Sequence, residues 1–490
     1  MTRTELTALC RQAEEKLSRV SSGKYRLCFH LMPPVGWLND PNGLCFYQGE
    51  YHVFFQYSPE SPLGGRKFWG HYVSPDLVNW KYLGAPLLTD TLWDRDGVYS
   101  GSAFTEDGAL ELFFTGNVKE PGDFDYISAG RQANILYTKS SNGVDFEEKQ
   151  LLLTNKDYPP SYTCHVRDPK VWEENGRYFM IMGGRRKNDQ GAVMIYSSAD
   201  KKKWHLQREI TSPEPFGYMW ECPDLFRMED KYFLLCCPQG LSPEEDRYQN
   251  LYQSGCFLCD DFSLKEKNEY LCAPESFREL DWGFDFYAPQ TFTDENGRRI
   301  LIGWAGIPEE TRYGNEPIIR EGWQHCLTVP RELSFDGRIL RQSPVRELEN
   351  LRIRQLSPDN GTIEAEAFDL CLNFEGRKQS VQFNEDLILE CRDNLITLTF
   401  LNDTGSGRTC RRARLPESEE LVKTLRILKD TSLLEIYVND GELVFTTKYF
   451  PEDTKRTALT VTGDVKSRKI WELRRMEVKM DGQKRTVGNR

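Results

Sequence analysis

A unit that returns about every sixty residues over the first two thirds of the chain constrains the fold more than any other feature. Each copy opens on a short polar run: Asp40-Pro41-Asn42-Gly43, Ser100-Gly101-Ser102-Ala103, Arg167-Asp168-Pro169, Glu221-Cys222-Pro223-Asp224 and Tyr287-Ala288-Pro289-Gln290. An apolar strand answers each opening: Tyr51 to Phe55, Leu110 to Phe114, Tyr178 to Met182, Tyr232 to Cys236 and Ile300 to Trp304. Between opening and answer lie Gly49, Gly108, Gly176, Asp230-Lys231 and Asn296-Gly297, which are hairpin-turn residues. A third element follows. Ser74-x-Asp76-x-x-x-Trp80 recurs as Ser198-x-Asp200-x-x-x-Trp204 and, more loosely, as Ser140-x-Asn142-x-x-x-Phe146, the spacing of a small turn followed by an aromatic that pins an outer strand.

Five copies with several short strands each and no long helix predict radial repetition, an all-β fold with a five-bladed β-propeller over residues 25–335. The period exceeds the roughly 40–50 residues of commoner propeller repeats, so loops must be inserted. Two packed sandwiches are the structural alternative. After Leu327-Thr328-Val329-Pro330-Arg331-Glu332-Leu333 the pattern changes to short alternating strands such as Ser380 to Phe383, Ile396 to Phe400 and Leu433 to Val438. These predict a C-terminal β-sandwich over 351–490, joined by a linker helix at 336–350. Residues 1–24 precede the repeats. There Leu6, Leu9, Ala13, Leu17 and Val20 fall at helical spacing and predict a short amphipathic helix docked on the propeller.

In a propeller the first strand of every blade lines the central channel, so the openings of successive units converge. The first, third and fourth carry Asp40, Asp168 and Glu221. Taken alone, Asn39-Asp40-Pro41-Asn42-Gly43 is a turn, and most of the 75 acidic residues must face water. Three carboxylates at matching repeat positions read instead as a site. Like charges held together cannot all ionise, so one group's pKa rises and it can donate a proton. Arg167 beside Asp168 favours its ionised form. Glu221, between Trp220 and Cys222, has the more apolar setting and reads as the protonated acid; Asp40, flanked by amides behind Trp37, reads as a nucleophile. That pair is the equipment of a retaining glycosidase, with the carboxyls expected ~5–5.5 Å apart. A Ca²⁺ site is the competing use of three carboxylates, and Arg167 and Trp220 argue against it. Asp224 and Asp285 are further acids near the openings.

Composition excludes other classes. The net charge is −12, and no Lys/Arg cluster is interleaved with aromatics, so nucleic acid and anionic membranes are poor partners. Aromatics make up 12% of the chain, which suits stacking on sugar rings. The charged N-terminal stretch lacks an apolar signal run, and no segment approaches the ~20 apolar residues of a membrane span. Fourteen cysteines without a framework read as reduced thiols, and the expected location is cytoplasmic. The lone pair Cys256 and Cys259 does not make a zinc site. No metal or organic cofactor is expected. His71 and His165 read as hydrogen-bonded structural residues, and a homodimer is compatible with the sequence.

Six runs, in order, resemble glycoside hydrolase family 32, the β-fructofuranosidases: Trp37-Leu38-Asn39-Asp40-Pro41-Asn42-Gly43, Phe55-Gln56-Tyr57, Phe68-Trp69-Gly70-His71, Tyr99-Ser100-Gly101-Ser102-Ala103, Arg167-Asp168-Pro169 and Glu221-Cys222-Pro223. The resemblance implies a propeller plus sandwich, with Asp40 as nucleophile, Glu221 as acid/base and Asp168 as transition-state stabiliser. It further implies that Asn39, Gln56, Trp69, Tyr99, Ser100, Arg167 and Trp304 line a fructosyl pocket. One departure is informative: many members carry a Trp eight residues after Gln56, and here that position is Gly64. The string Gly65-Arg66-Lys67-Phe68-Trp69-Gly70-His71 is similar to that of the intracellular sucrose-6-phosphate hydrolases, which implies a phosphate contact at Lys67. The expected substrate is sucrose or sucrose 6-phosphate, with short fructans as the alternative and a non-catalytic sugar-binding propeller as a less favoured one.

Overall fold

A computed structural model describes residues 1–259, 262–266, 269–308, 313–357, 361–416 and 421–480. The end of the segment expected as sandwich, 481–490, lies outside them. Each of the five openings lies on the first strand of its own sheet: Gly36–Tyr47, Val98–Glu106, Tyr162–Glu174, Met219–Met228 and Tyr287–Thr293. The apolar answers form the antiparallel second strands, Glu50–Ser58, Ala109–Lys119, Arg177–Arg186, Lys231–Gln239 and Arg299–Ala305. Gln48-Gly49 and Asp107-Gly108 have φ of +50° and +85°, and of +50° and +73°, so both residues of these two-residue turns are left-handed. That geometry matches the twist of the flanking strands. In the fourth sheet Met228 pairs with Lys231, so the turn is Glu229-Asp230 and Lys231 already belongs to the strand.

The first strand of each sheet packs on that of the next, and the fifth returns to the first. Separate apolar cores fill the gaps between neighbouring sheets, as where Phe54 and Trp69 of blade one meet Leu112 and Phe114 of blade two. The ring closes at Trp323–Gln324, which pairs in parallel with Gly36 and Trp37, while Cys326–Leu327 pairs with Trp304 and Ala305 of blade five. The architecture is a five-bladed propeller followed by a sandwich of two six-stranded sheets. The recurring turn is as expected. Asp76 Oδ1 accepts from Val78 and Asn79 N, Asn142 and Asp200 do the same in their copies, and Trp80 and Trp204 each donate from Nε1 to a carbonyl three residues back.

Three expectations about the edges are corrected. Residues 336–350 are not a linker helix: Arg331–Phe335 and Leu340–Pro344 form a hairpin that completes blade five, and only the 3₁₀ turn Arg346–Leu351 follows. Polar residues concealed the outer strand: Arg341 pairs with Asp336 and Glu442 at the edge, while Gln342 is buried and satisfied by Arg331 and the Leu280 carbonyl. Residues 351–480 are not all sandwich, because Glu477–Met480 returns to pair in parallel with Asn79–Tyr82 and covers the outer edge of blade one. The N-terminal helix is two helices, Arg3–Glu14 and Leu17–Ser21, the first closed by a capping box between Thr2 and Glu5. Leu6, Ala13 and Val20 are buried as expected.

Candidate active site

In every blade the ladder between first and second strand is interrupted where the unit opens. The register jumps between Leu38 and Pro41, Val98 and Gly101, Arg167 and Lys170, Glu221 and Asp224, and Tyr287 and Gln290. These are β-bulges, which end pairing and redirect side chains. Pro169, Pro223 and Pro289 sit in the gaps, where no ladder N–H is required. The residue before each is left-handed: Asp168 at φ +65°, Cys222 at +48° and Ala288 at +48°. Structurally, therefore, Cys222 is the counterpart of Asp168, and Glu221 stands one residue earlier than repeat equivalence suggested.

Asp40 is aimed by two relays of neutral donors. Ser100 Oγ donates to Asp40 Oδ2 at 2.5 Å and accepts from Gln56 Nε2 at 2.9 Å. Asn39 Nδ2 donates to Asp40 Oδ1 at 3.1 Å and to Gln56 Oε1 at 2.9 Å. Asn39 Oδ1 in turn accepts from Trp37 Nε1 (2.8 Å) and Lys67 Nζ (3.0 Å). Asn42 ties the turn down, donating to the Asp40 carbonyl and accepting from Gly101 N. Burial raises Asp40's pKa and the charge of Glu221 adds to it, while Ser100, Asn39 and Lys67 oppose the rise.

Glu221 is held differently. Its Oε1 accepts from Arg167 Nε (2.9 Å) and Nη2 (2.7 Å), and its Oε2 from Gln239 Nε2 and Tyr287 OH, both at 2.6 Å. Sequence adjacency had assigned Arg167 to Asp168 and an apolar setting to Glu221; the bulge turns the guanidinium across to blade four. Asp168 accepts at Oδ2 from the Cys222 N–H, at 2.9 Å, and its own N–H is fixed by Thr115 Oγ1. Buried and facing both Glu221 and Asp40, it is pushed up to about 7 despite Arg167. Burial and the two neighbouring carboxylates thus favour the protonated form of Asp168.

Of the other expected residues, Trp304 stands near Trp37 and Tyr287, with ring centroids 6.0 and 6.4 Å away. Trp69 is fully buried against Phe54 and Phe114, and its Nε1 donates to the Tyr99 carbonyl, so it supports the rim residue Tyr99 from behind. Burial lowers Lys67 to about 8, and its ammonium lies 4.7 Å from the Trp37 ring, turned toward Asp40. Burial holds His71 well below the usual range and His165 at about 3; His71 pairs with His52 and His165 with the Tyr126 carbonyl. Asp224 accepts from Thr291, and Asp285 is bound to Arg408 and Lys448. Cys259 Sγ lies 3.9 Å from Cys272 Sγ, and all fourteen cysteines are free thiols. Among the described residues no group of three or more His, Cys, Asp or Glu is arranged to hold a metal. Sequence reasoning missed Gln239, Thr115 and His325. Tyr287 had a signal, since it opens the fifth unit, but was given no role.

The arrangement matches known proteins over most of its length. Residues 30–344 match the model of the glycosyl hydrolases family 32 N-terminal domain, and residues 361–472 that of the family 32 C-terminal domain. The chain belongs to glycoside hydrolase family 32. Sucrose-6-phosphate hydrolase of Bacillus subtilis (strain 168) is 36% identical over 458 residues, covering 90% of this chain and 92% of that one. Raffinose invertase of Escherichia coli is 36% identical over 469 residues, covering 92% and 94%. The solved sucrose-6-phosphate hydrolase of Lactobacillus gasseri superposes with a TM-score of 0.86 at 28% identity, over 97% of this chain and 98% of that one. A family 32 β-fructofuranosidase of Bombyx mori, solved in complex with sucrose, gives 0.82 at 28% identity over 98% and 100%. This family 32 chain is thus a glycoside hydrolase, and no helix among its described residues is long and apolar enough to cross a membrane.

Proposed function

We propose that the chain is a cytoplasmic retaining β-fructofuranosidase that releases fructose from sucrose or sucrose 6-phosphate. The opposed surroundings of Asp40 and Glu221 carry this reading. Among the described residues each Asp40 oxygen has one donor, so the carboxylate is oriented while keeping a lone pair for attack on the fructosyl anomeric carbon. Glu221, reached by Tyr287 and Arg167, protonates the departing glucosyl oxygen and then, as a base, activates the water that frees fructose from Asp40. The charge of Glu221 raises the pKa of both Asp40 and Asp168, so the three carboxyls act as one linked group. Asp168 and Arg167 grip ring hydroxyls as oxocarbenium character develops, and Asn39, Gln56, Ser100, Tyr99 and Trp304 complete the fructosyl pocket, with Trp69 behind it.

For the phosphate, two cations serve. Lys67 stands beside Gly64 with its ammonium over the Trp37 ring. Arg131, in electrostatic contact with Tyr99 and Arg167, has no carboxylate in ion-pair range among the described residues. Asp40→Asn and Glu221→Gln should each cut fructose release by three or more orders of magnitude with the fold intact; near-normal turnover by either removes the mechanism. Run on sucrose, sucrose 6-phosphate and a short inulin, the same assay assigns the substrate. Lys67→Ala and Arg131→Ala should lower kcat/KM on the phosphorylated sugar more than on sucrose.

A further inference from the structure

Behind the fructosyl-side aromatics stands a residue that the reaction does not use. His325 lies at the break between Trp323–Gln324, which pairs with blade one, and Cys326–Leu327, which pairs with blade five. Its backbone is left-handed, with φ +70°, a strained conformation for a residue bearing a side chain. Its fully buried ring meets Trp37 edge-on at 4.4 Å and Trp304 at 4.9 Å, with interplanar angles of 80° and 87°. A Cβ on Gly306 would strike both Trp304 Nε1 and His325 Nδ1, so the turn after blade five's second strand must be bare for these rings to meet. The group that fixes this imidazole comes from the other domain. Lys448, the last residue of the sandwich strand Leu443–Lys448, places its Nζ 2.7 Å from Asp285 Oδ1, 2.9 Å from the Ala305 carbonyl and 3.3 Å from His325 Nδ1.

We propose that Lys448, delivered by the sandwich, is a positioning residue for the active site, acting through His325 on Trp37 and so on Asn39 and Asp40. The donor balance shows how. An ammonium has only protons to give, so Nδ1 must present its lone pair to Lys448 and the ring proton must sit on Nε2. Gln324 Nε2 lies 2.9 Å from His325 Nε2, and Gln324 Oε1 is buried without a partner. With the amide turned by half a revolution, Oε1 accepts from Nε2–H and both groups are satisfied. The imidazole is then neutral, of one tautomer and fixed in rotation, a wall against which Trp37 is held. Trp37 spends its Nε1–H on Asn39 Oδ1, leaving the Asn39 amide protons for Asp40 and Gln56. The charged groups facing His325 are Lys448, Asp285, Lys67 and Arg408, and three of the four are cations. Burial and these cations keep the ring unprotonated throughout the working range.

Replacing Lys448 by Met removes the nearest cation while Arg408 still pairs Asp285. Folded Lys448→Met should lose at least tenfold in kcat/KM on sucrose or sucrose 6-phosphate, mostly in kcat. Its kcat/KM profile should also gain an acid limb at higher pH than the wild type's, because the nearest cation opposing protonation is gone while burial remains. The limb should vanish in Lys448→Met/His325→Gln. Rising protonation of the imidazole against Trp37 and Trp304 should quench tryptophan fluorescence over the same pH range in the single variant only. That readout does not depend on which carboxylate attacks, so it separates this proposal from the assignment of Asp40 on which it rests. A Lys448→Met enzyme with wild-type kcat/KM and profile overturns the proposal. So does a loss that tracks a fall in Tm, with no new limb and no quenching, which marks a purely structural tie. If Lys448→Met does not fold, His325→Gln decides: a tenfold loss at a Tm near wild type supports the bracket, and full activity overturns it.

Discussion

At the scale of single residues the site works through carboxylates in unequal surroundings. Asp168 shows the consequence most clearly. Its folded pKa of about 7 lies above the ordinary 3.8, so the fold favours its protonated form; that contribution is complete below about pH 4 and is lost as pH rises through 7. Asp168→Asn mimics the protonated state permanently. It should lose at least a hundredfold in kcat/KM yet melt above wild type by about 1–3 °C at pH 8, with the gap closing towards pH 5. Thermal scans at the two pH values check this, and a variant less stable than wild type at pH 8 contradicts it. The trio itself was legible from sequence, because three openings of one repeat share a place on the rim. Its charge distribution was not. Arg167 adjoins Asp168 in the chain but bonds Glu221, and no spacing rule foretells which way a bulged strand turns a side chain.

At the scale of elements, the bulge on the first strand is the device that turns a repeated hairpin into a binding rim. Blade two depends on Gly101 for it. A Cβ there would strike the Phe113 carbonyl and the Phe114 Cα of the second strand, backbone atoms that cannot move aside. Gly101→Ala should therefore shift Ser100 off Asp40 and cost roughly 1–3 kcal/mol through overpacking. The expected result is a folded protein by circular dichroism with fructose release down a hundredfold or more; undiminished activity shows the bulge to be tolerant. The hairpins and the Asp76, Asn142 and Asp200 turns could be read in advance because their residues act locally. The outer strand Leu340–Pro344 could not, since an edge strand needs little apolar character and its partner, Arg331–Phe335, supplies the pairing.

At the scale of the whole molecule, propeller and sandwich are joined by buried charge. His30, fully buried, bonds Asp430 at 2.8 Å and Glu435 at 3.0 Å, and Glu435 also holds Arg331 of blade five at 2.7 Å. Burial disfavours the imidazolium, but the two carboxylates outweigh it and raise His30 to about 9. Its stabilising effect is complete below 6.5 and is lost as pH rises through 9. Glu435, lowered to about 2 because Arg331 and His30 outweigh burial, contributes fully above 4.5 and fails as pH falls through 2. His30→Gln leaves both carboxylates short of a cation and should cost about 3–5 kcal/mol at pH 6. The wild-type Tm should fall between pH 6.5 and 9 more steeply than the variant's; parallel curves exclude this latch. By itself the sequence determined the blade count, the sandwich and the rim carboxylates, because a period of strands and turns is written in local chemistry. Tertiary structure alone decided that Arg167 serves Glu221, that burial and two carboxylates raise the pKa of Asp168, and that the last described strand, Glu477–Met480, closes blade one. Each depends on charges or strand edges brought together from far apart in the chain, where burial and Coulomb attraction, not spacing, select the partner.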